Sequence, residues 1–392
     1  MEAKQRKILF LTGTRADFGK MKPLMEEVER SDDFEAHIFA TGMHMLARYG
    51  STVKEVQLAG FRHIYSYINQ DGSVNSQMDL VLANTIQGLG HYIREFSPDL
   101  IVVHGDRIEA LAGAITGVVS NILVAHIEGG EVSGTMDESI RHAVTKLSHL
   151  HFVSNNQARK RLVQMGEAPD SIFVIGSPDI DVMLSDKLPD ICETKLRYEI
   201  TFLEYAIFIY HPVTTEMHDL GRNITTAAAA LKESGLNFIV IYPNNDPGAE
   251  IILEAINRLR DNPCFRVLPS MRFEYFLTLL KNAKAIVGNS SAGIREAPVY
   301  GVPTINIGTR QMNRFNYSFI FNVPDDKEKI LQALNNLPAS VTPSLHFGRG
   351  ESAKLFMTQL RNSKLWATTC QKQFCDLGFQ TDEESLAGVM DG

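Results

Sequence analysis

Asp106 and Arg107 come just after the apolar run DLIVV in HGDRIEA, and Glu128 comes just after the next such run in AHIEGGE. Charges at the ends of apolar strands need a partner or a task, because leaving them buried and unpaired is costly. Neighbouring strands of a parallel sheet would bring both carboxylates to one rim. Asp137, in GTMDESIRH, opens the helical pattern that follows and can reach the same pocket, although its position alone equally suits a helix-terminal carboxylate. Paired carboxylates suit proton transfer, since their surroundings can separate their pKa values and leave one protonated. His211 ends the run YAIFIYH and is followed by Pro212, which makes it either a packed, capping histidine or a polar group facing a cleft.

A second set of residues is built for anions. In AIVGNSSAGIREAPVYGVPTINIGTR, residues 285–310, a buried run delivers Ser290 and Ser291 to the start of a helical pattern, where free backbone N–H groups favour negative charge. Either serine alone could be a simple helix cap; Glu296 and Arg310 in the same segment favour a ligand site. Arg15 in TRAD and Arg107 in GDRIE are candidate phosphate clamps, the alternative being ordinary salt bridges. Asn244 also follows an apolar run. Neither a Walker A nor a G-x-G-x-x-G pattern occurs. Asp179 and Asp181 in SPDID have the spacing of a metal-binding D-x-D but read as a helix start. His142, His149 and His151 match no metal-ligand spacing. We therefore expect no catalytic metal among the site residues and no cofactor.

These residues have to be held by something, and the chain repeats one grammar of apolar run, loop and helical pattern. It occurs at Lys7–Leu11, at DLIVVHGDR, at ILVAHIEGG and at HLHFVSN. Strand cores without polar alternation suit a parallel sheet covered on both faces. IGSPDID closes the series, and the polar stretch 185–201, with Pro189, reads as a domain linker. A second series follows at YAIFIYHP, NFIVIYPNND, AKAIVGNSS and PTINIGTR. The expected architecture is α/β, with two Rossmann-like doubly wound domains over residues 1–185 and 186–351. Ligands of open α/β sheets bind outside the carboxyl ends of the strands, so the polar loops of both units should face one cleft.

Composition removes several other classes. With 44% apolar and 21% charged residues the chain has ample material for packed cores and is not disordered. Acidic residues outnumber basic ones, 46 against 38, so the net charge of −8 offers no general field for nucleic acid or an anionic membrane. Any anionic ligand must be met by locally placed donors. Cys192, Cys264, Cys370 and Cys375 match neither a C-x-x-C pair nor a zinc ribbon, and no apolar stretch approaches a membrane span or a secretion signal. A cytoplasmic location with free thiols is expected.

TGTRADFGK, HGDRIEALA, HIEGGEVSGTMDESIRHAVTKLSHLHFVSN, GSPDID, YHPVTTE, PNNDPG and GNSSAGIREAP with INIGTRQ resemble the hydrolysing UDP-N-acetylglucosamine 2-epimerases of sialic acid biosynthesis, in register from about Lys7 to Lys364. The resemblance implies the glycosyltransferase B arrangement, with Ser352–Trp366 as a final helix crossing back onto the first domain, so that 352–392 forms a helix and tail. It implies a homodimer or homotetramer acting on a UDP-sugar. The chemistry would be elimination of UDP to a 2-acetamidoglucal, then hydration to N-acetylmannosamine. On that pattern Asp106, Glu128 and Asp137 are catalytic carboxylates, and His211 lies beside the diphosphate. Ser290 and Ser291 bind phosphate, Glu296 holds the ribose hydroxyls, and Arg310, Arg15, Arg107 and Asn244 are nucleotide-sugar contacts. Glu128 and Asp137 are expected to move protons, with Asp106 orienting the sugar or stabilising positive charge at C1. The neighbouring readings are a non-hydrolysing epimerase, a hydrolysing enzyme for a UDP-2,4-diacetamido-trideoxy sugar of legionaminic acid biosynthesis, and a glycosyltransferase of the same fold. No role is expected for the tail beyond about Thr369.

Overall fold

A computed structural model describes residues 5–71, 77–132, 136–244, 246–312, 315–338 and 341–376. The apolar runs form two sheets. The first contains β1 (Arg6–Thr12), β2 (Phe34–Ala40), β3 (His63–Ser66), β4 (Leu100–His104), β5 (Leu123–Ile127), β6 (Leu150–Val153) and β7 (Ile172–Val174), in the spatial order β3-β2-β1-β4-β5-β6-β7. The second contains β8 (Ala206–Ile209), β9 (Phe238–Ile241), β10 (Phe265–Leu268), β11 (Ile286–Gly288), β12 (Thr304–Ile307) and β13 (Ile320–Val323), ordered β10-β9-β8-β11-β12-β13. Every pairing is parallel.

Strand composition explains this. On β1, Ile8 and Phe10 join the core on one face while Leu9 and Leu11 join the core on the other. On β8, Phe208 and Ile207 divide in the same way. Strands apolar on both faces need helices on both sides, and those helices are supplied by the crossovers between parallel strands. The order in which strands are added reverses between β1 and β4, and again between β8 and β11, which are the points where open α/β sheets leave a crevice for ligand.

The two units are in direct contact. The Arg15–Glu29 helix approaches the Phe273–Lys281 helix so closely at Gly19 that a Cβ there would lie 2.6 Å from that of Phe273. Only glycine fits without moving one helix. Lys22 Nζ reaches Glu274 at 3.4 Å across the same seam, and Arg48 pairs with Glu250. The Ser352–Leu360 helix lies on the first sheet, where Phe356 packs on Phe152 and Phe10. Its first N–H groups, from Ser352 and Ala353, donate to the Asp181 carboxylate at 2.9 and 2.8 Å. Asp181 and Asp179 both stand in the first turn of the Pro178–Met183 helix, yet Asp181 spends its oxygens capping a different helix.

Two stretches differ from the sequence expectation. Residues 185–201 are not a bare tether: Ile191–Arg197 is a helix, capped by Asp190 and fastened to the second unit by Tyr275 Oη–Glu193 and Thr278 Oγ1–Pro189 carbonyl hydrogen bonds of 2.7 and 2.8 Å. A seven-residue helix is too short to show a clear period. The start of the tail is docked as well. Lys372 Nζ donates to the carbonyls of Thr145, Lys146 and Ser148, at the C-terminal end of the Met136–Leu147 helix, and pairs with Glu167. A cation there satisfies orphan carbonyls and complements the helix dipole. Residues 377–392 lie outside the described residues. Among the described residues no helix is long and apolar enough to cross a membrane, and the four cysteines form no disulfide.

Candidate active site

The carboxyl ends of both sheets open onto one cavity of about 340 Å³. All the candidate catalytic and substrate-binding residues line it: Arg15, Asp106, Arg107, Glu128 and Asp137 from the first unit, and His211, Asn244, Ser290, Ser291, Glu296 and Arg310 from the second, while Asp179, Asp181, His142, His149 and His151 do not.

Glu128, the residue after β5, lies in the left-handed region at φ 64°, and its side chain reaches across the seam to Arg295. Its backbone is held there by the N–H donating to Phe152 and by Arg141 Nη1 donating to its carbonyl at 2.7 Å. The carboxylate is buried. Arg295 of the second unit sits 2.6 Å from Oε1, Ser177 donates to the same oxygen, and His104 Nε2 lies 3.1 Å from Oε2. Burial alone would raise its pKa, but Arg295, His104 and Lys20 outweigh that and hold it well below the usual carboxylate range. Asp106, in the loop after β4, pairs with Arg141. That loop is pinned from below, because His126 Nε2–H donates to the Gly105 carbonyl at 2.8 Å. Burial keeps His126 neutral, with a pKa pushed down to about 3. Asp137, in the first turn of its helix, lies 3.3 Å from Arg310 Nη2 and so touches the opposite unit.

On the second side the donors are smaller. His211 is clamped at both backbone atoms by Asn289, which accepts from its N–H at 2.6 Å and donates to its carbonyl at 2.9 Å. Its Nδ1 accepts the Asn244 N–H at 3.0 Å, so in the neutral ring Nε2 carries the proton and is the donor. Burial, with Arg310 and Arg107 adding to it, pushes its pKa well below the ordinary value. His211 is thus a neutral donor. Ser290 Oγ accepts from the Ala292 N–H at 3.3 Å, and Ser291 begins a three-residue 3₁₀ turn rather than a long helix. Here the expectation of a helix dipole needs correcting, since so short a turn carries little dipole and leaves the hydroxyls and local N–H groups as donors. Gly288, at φ 123°, lets β11 make its turn: a Cβ there would fall 2.0 Å from the Ile209 carbonyl oxygen.

Glu296 is paired through Oε1 to Lys20 at 2.6 Å, and Lys20 also reaches Asp179 at 3.2 Å. Burial opposes the Lys20 charge, yet Glu296, Asp179 and Glu128 raise its pKa above the usual value. Oε2 of Glu296 makes no hydrogen bond among the described residues. Arg15 donates to Ser270 at 2.8 Å and Glu55 at 2.5 Å, Arg107 to Glu109 at 3.2 Å, and Arg310 to the Asn289 carbonyl at 3.3 Å. Lys20, His104, Arg141, Ser177, Asn289 and Arg295 were not singled out from sequence. Each lies within TGTRADFGK, HGDR, DESIRH, GSPD or GNSSAGIREAP, and Lys20, His104, Arg141 and Arg295 could have been found by asking which cations balance the carboxylates, whereas the neutral Ser177 and Asn289 carry no such signal.

Two parallel α/β sheets with strand-end side chains converging on a shared cleft define a protein of the glycosyltransferase B type of fold. The chain belongs to the UDP-N-acetylglucosamine 2-epimerase family, whose model matches residues 26–361. It is 47% identical over 381 residues to a UDP-N-acetylglucosamine 2-epimerase of Neisseria meningitidis serogroup B, covering 95% of this chain and 99% of that protein. It is 34% identical to a UDP-N,N'-diacetylbacillosamine 2-epimerase (hydrolyzing) of Legionella pneumophila, covering 84% of this chain and 88% of that one. Its fold is similar to the crystal structure of a UDP-GlcNAc 2-epimerase from Neisseria meningitidis, with a TM-score of 0.77, 20% identity, and coverage of 91% and 100%.

Proposed function

We propose that this family member is a hydrolysing 2-epimerase that converts UDP-N-acetylglucosamine and water to N-acetylmannosamine and UDP. The observation that carries the reading is the single cavity where three carboxylates of one unit meet a neutral histidine, two serine hydroxyls and an arginine of the other. The 47% identical relative named for UDP-N-acetylglucosamine supports the substrate, and the 34% identical relative named as hydrolyzing supports the water step.

In the first step a carboxylate takes the C2 proton, the C–H electron pair becomes the C1=C2 bond, and the C1–O bond breaks with its electrons leaving on UDP. Charge grows on the diphosphate, where Arg310, the Ser290 and Ser291 hydroxyls and the His211 Nε2–H would meet it. In the second step a proton is delivered to the other face of C2 and water supplies hydroxide to C1. Asp137 is the proton carrier best placed beside the leaving group, given its approach to Arg310. Glu128, kept ionised by Arg295, His104 and Lys20, is suited to stabilising positive charge at C1. Asp106, tied to Arg141, then shares the proton work. The unpartnered Oε2 of Glu296 suits a ribose hydroxyl. This chemistry belongs to synthesis of sialic acid-type sugars.

Incubation with UDP-N-acetylglucosamine should release UDP and free N-acetylmannosamine in equal amounts. Recovery of only the epimerised nucleotide sugar would show a non-hydrolysing enzyme, and faster turnover of the 2,4-diacetamido-trideoxy analogue would move the substrate assignment.

A further inference from the structure

At the amino ends of β2 and β3, on the far side of the sheet from the cleft, Glu35, His37 and His63 share one face. Glu35 and His37 are two residues apart on β2, and His37 is registered against His63 on β3. Glu35 Oε1 lies 2.6 Å from His37 Nε2 and 3.3 Å from His63 Nε2. One ligating atom from each of the three falls within 4.8 Å of the others. None of the three has a part in the cavity described above.

We propose that Glu35, His37 and His63 form a binding site for a divalent transition metal of the zinc class. Two imidazoles and a carboxylate are the donor set that suits zinc, with the fourth position left to water. Ligands on one tetrahedral zinc stand about 3.3 Å apart, given bonds of about 2.0–2.1 Å. The Glu35–His63 separation already has that value. The His37 and His63 rings are stacked at 4.7 Å, so one ring must turn for both lone pairs to converge; His63, with a side chain 43% exposed, is free to do so.

His37 is buried and held by Tyr92, whose hydroxyl lies 2.6 Å from Nδ1. Metal-binding histidines are normally fixed by a hydrogen bond to the other ring nitrogen. A tyrosine hydroxyl serves both states, donating to Nδ1 while Nε2–H faces Glu35, and accepting from Nδ1–H once the metal takes Nε2. The cation on the neighbouring strand is Lys7, registered beside Glu35 on β1, and its amine is turned to the Phe96 carbonyl at 2.9 Å. β3 is an edge strand, so a metal would staple it to β2.

The test is calorimetric titration of the full chain, stripped with chelator, with Zn²⁺ alone. One equivalent should bind, and affinity should fall by about 10-fold or more in His63→Ala and in Glu35→Gln, whose side chains are partly exposed and whose loss spares the core. Tyr92→Phe should weaken binding by about 10-fold through the lost orienting bond. Co²⁺ should give the visible absorption of a tetrahedral site in the parent chain and lose it in both ligand variants. UDP release in chelator should be the same for the parent, His63→Ala and Glu35→Gln. No zinc binding, or equal affinity in the parent and both ligand variants, would overturn the site.

Discussion

The two walls of the cleft are charged by different means. On the first, Asp106 and Glu128 are full charges placed at strand ends, each locked by an arginine and sunk beside other ionised groups. On the second, the groups facing the diphosphate are the neutral His211 and the Ser290 and Ser291 hydroxyls, with Arg310 beside them, while Arg295 and Glu296 are spent in ion pairs with the first wall. A wall of fixed charges must be neutralised to fold, whereas a wall of neutral donors can wait for its ligand. Glu128 and Arg295 come from opposite walls, so the device that neutralises the first wall also fastens it to the second.

That difference is sharpest at Arg295. Arg295→Met leaves Glu128 buried without its main counter-charge and should lower unfolding stability by about 3–5 kcal/mol. Adding Glu128→Gln to it should recover much of the loss in a denaturant titration. Equal destabilisation by the single and double changes would mean the pair does not join the walls.

Next in size, Asp106→Asn and Glu128→Gln should each cut turnover of UDP-N-acetylglucosamine by about 100-fold or more, the scale of lost acid–base or charge stabilisation. Steady-state UDP release measures this. Unchanged turnover would reduce the first wall to a structural one.

Acid should weaken the fold through buried neutral histidines. His44, fully buried between Thr12 and Thr52, has its pKa pushed down to about 4 by burial, which Asp17 only partly opposes. Between about pH 6.5 and 4 the unfolded chain takes a proton there that the folded one does not, so stability falls on acidification by about 1.4 kcal/mol per pH unit for this group. Denaturant midpoints should drop from pH 7 to pH 5, less steeply in His44→Gln. Identical slopes in the two proteins would exclude His44 as a cause.

The smallest effect belongs to the second wall. Ser290→Ala removes one neutral donor and should raise KM by about 5–10-fold, equivalent to about 1 kcal/mol, while leaving stability nearly unchanged. A collapse of stability instead would make Ser290 chiefly a cap of its 3₁₀ turn.

Much of this was legible in the chain. β1, β4, β5, β6, β8, β9, β11 and β12 are apolar runs, and the side chains singled out just beyond them meet at one cavity. Other elements were hidden for physical reasons. β2 carries Glu35 and His37, which break its apolar run, while β3 and β13 are short, partly exposed edges. Arg295 lies 167 residues from Glu128 in sequence, and such ion pairs leave no local pattern. Lys372 was invisible for the same reason, its partners being carbonyls more than two hundred residues away. The short turn after Ser290 could not be told from a helix start, because both begin with the same capping chemistry.

The most direct test is the reaction run in D₂O with UDP-N-acetylglucosamine and followed by proton NMR. Free N-acetylmannosamine carrying deuterium at C2, formed in step with UDP, is the expected product of carboxylates that exchange the C2 proton beside a leaving diphosphate. A free or transferred sugar that retains its original C2 hydrogen would contradict the reading that the two walls act together on one sugar.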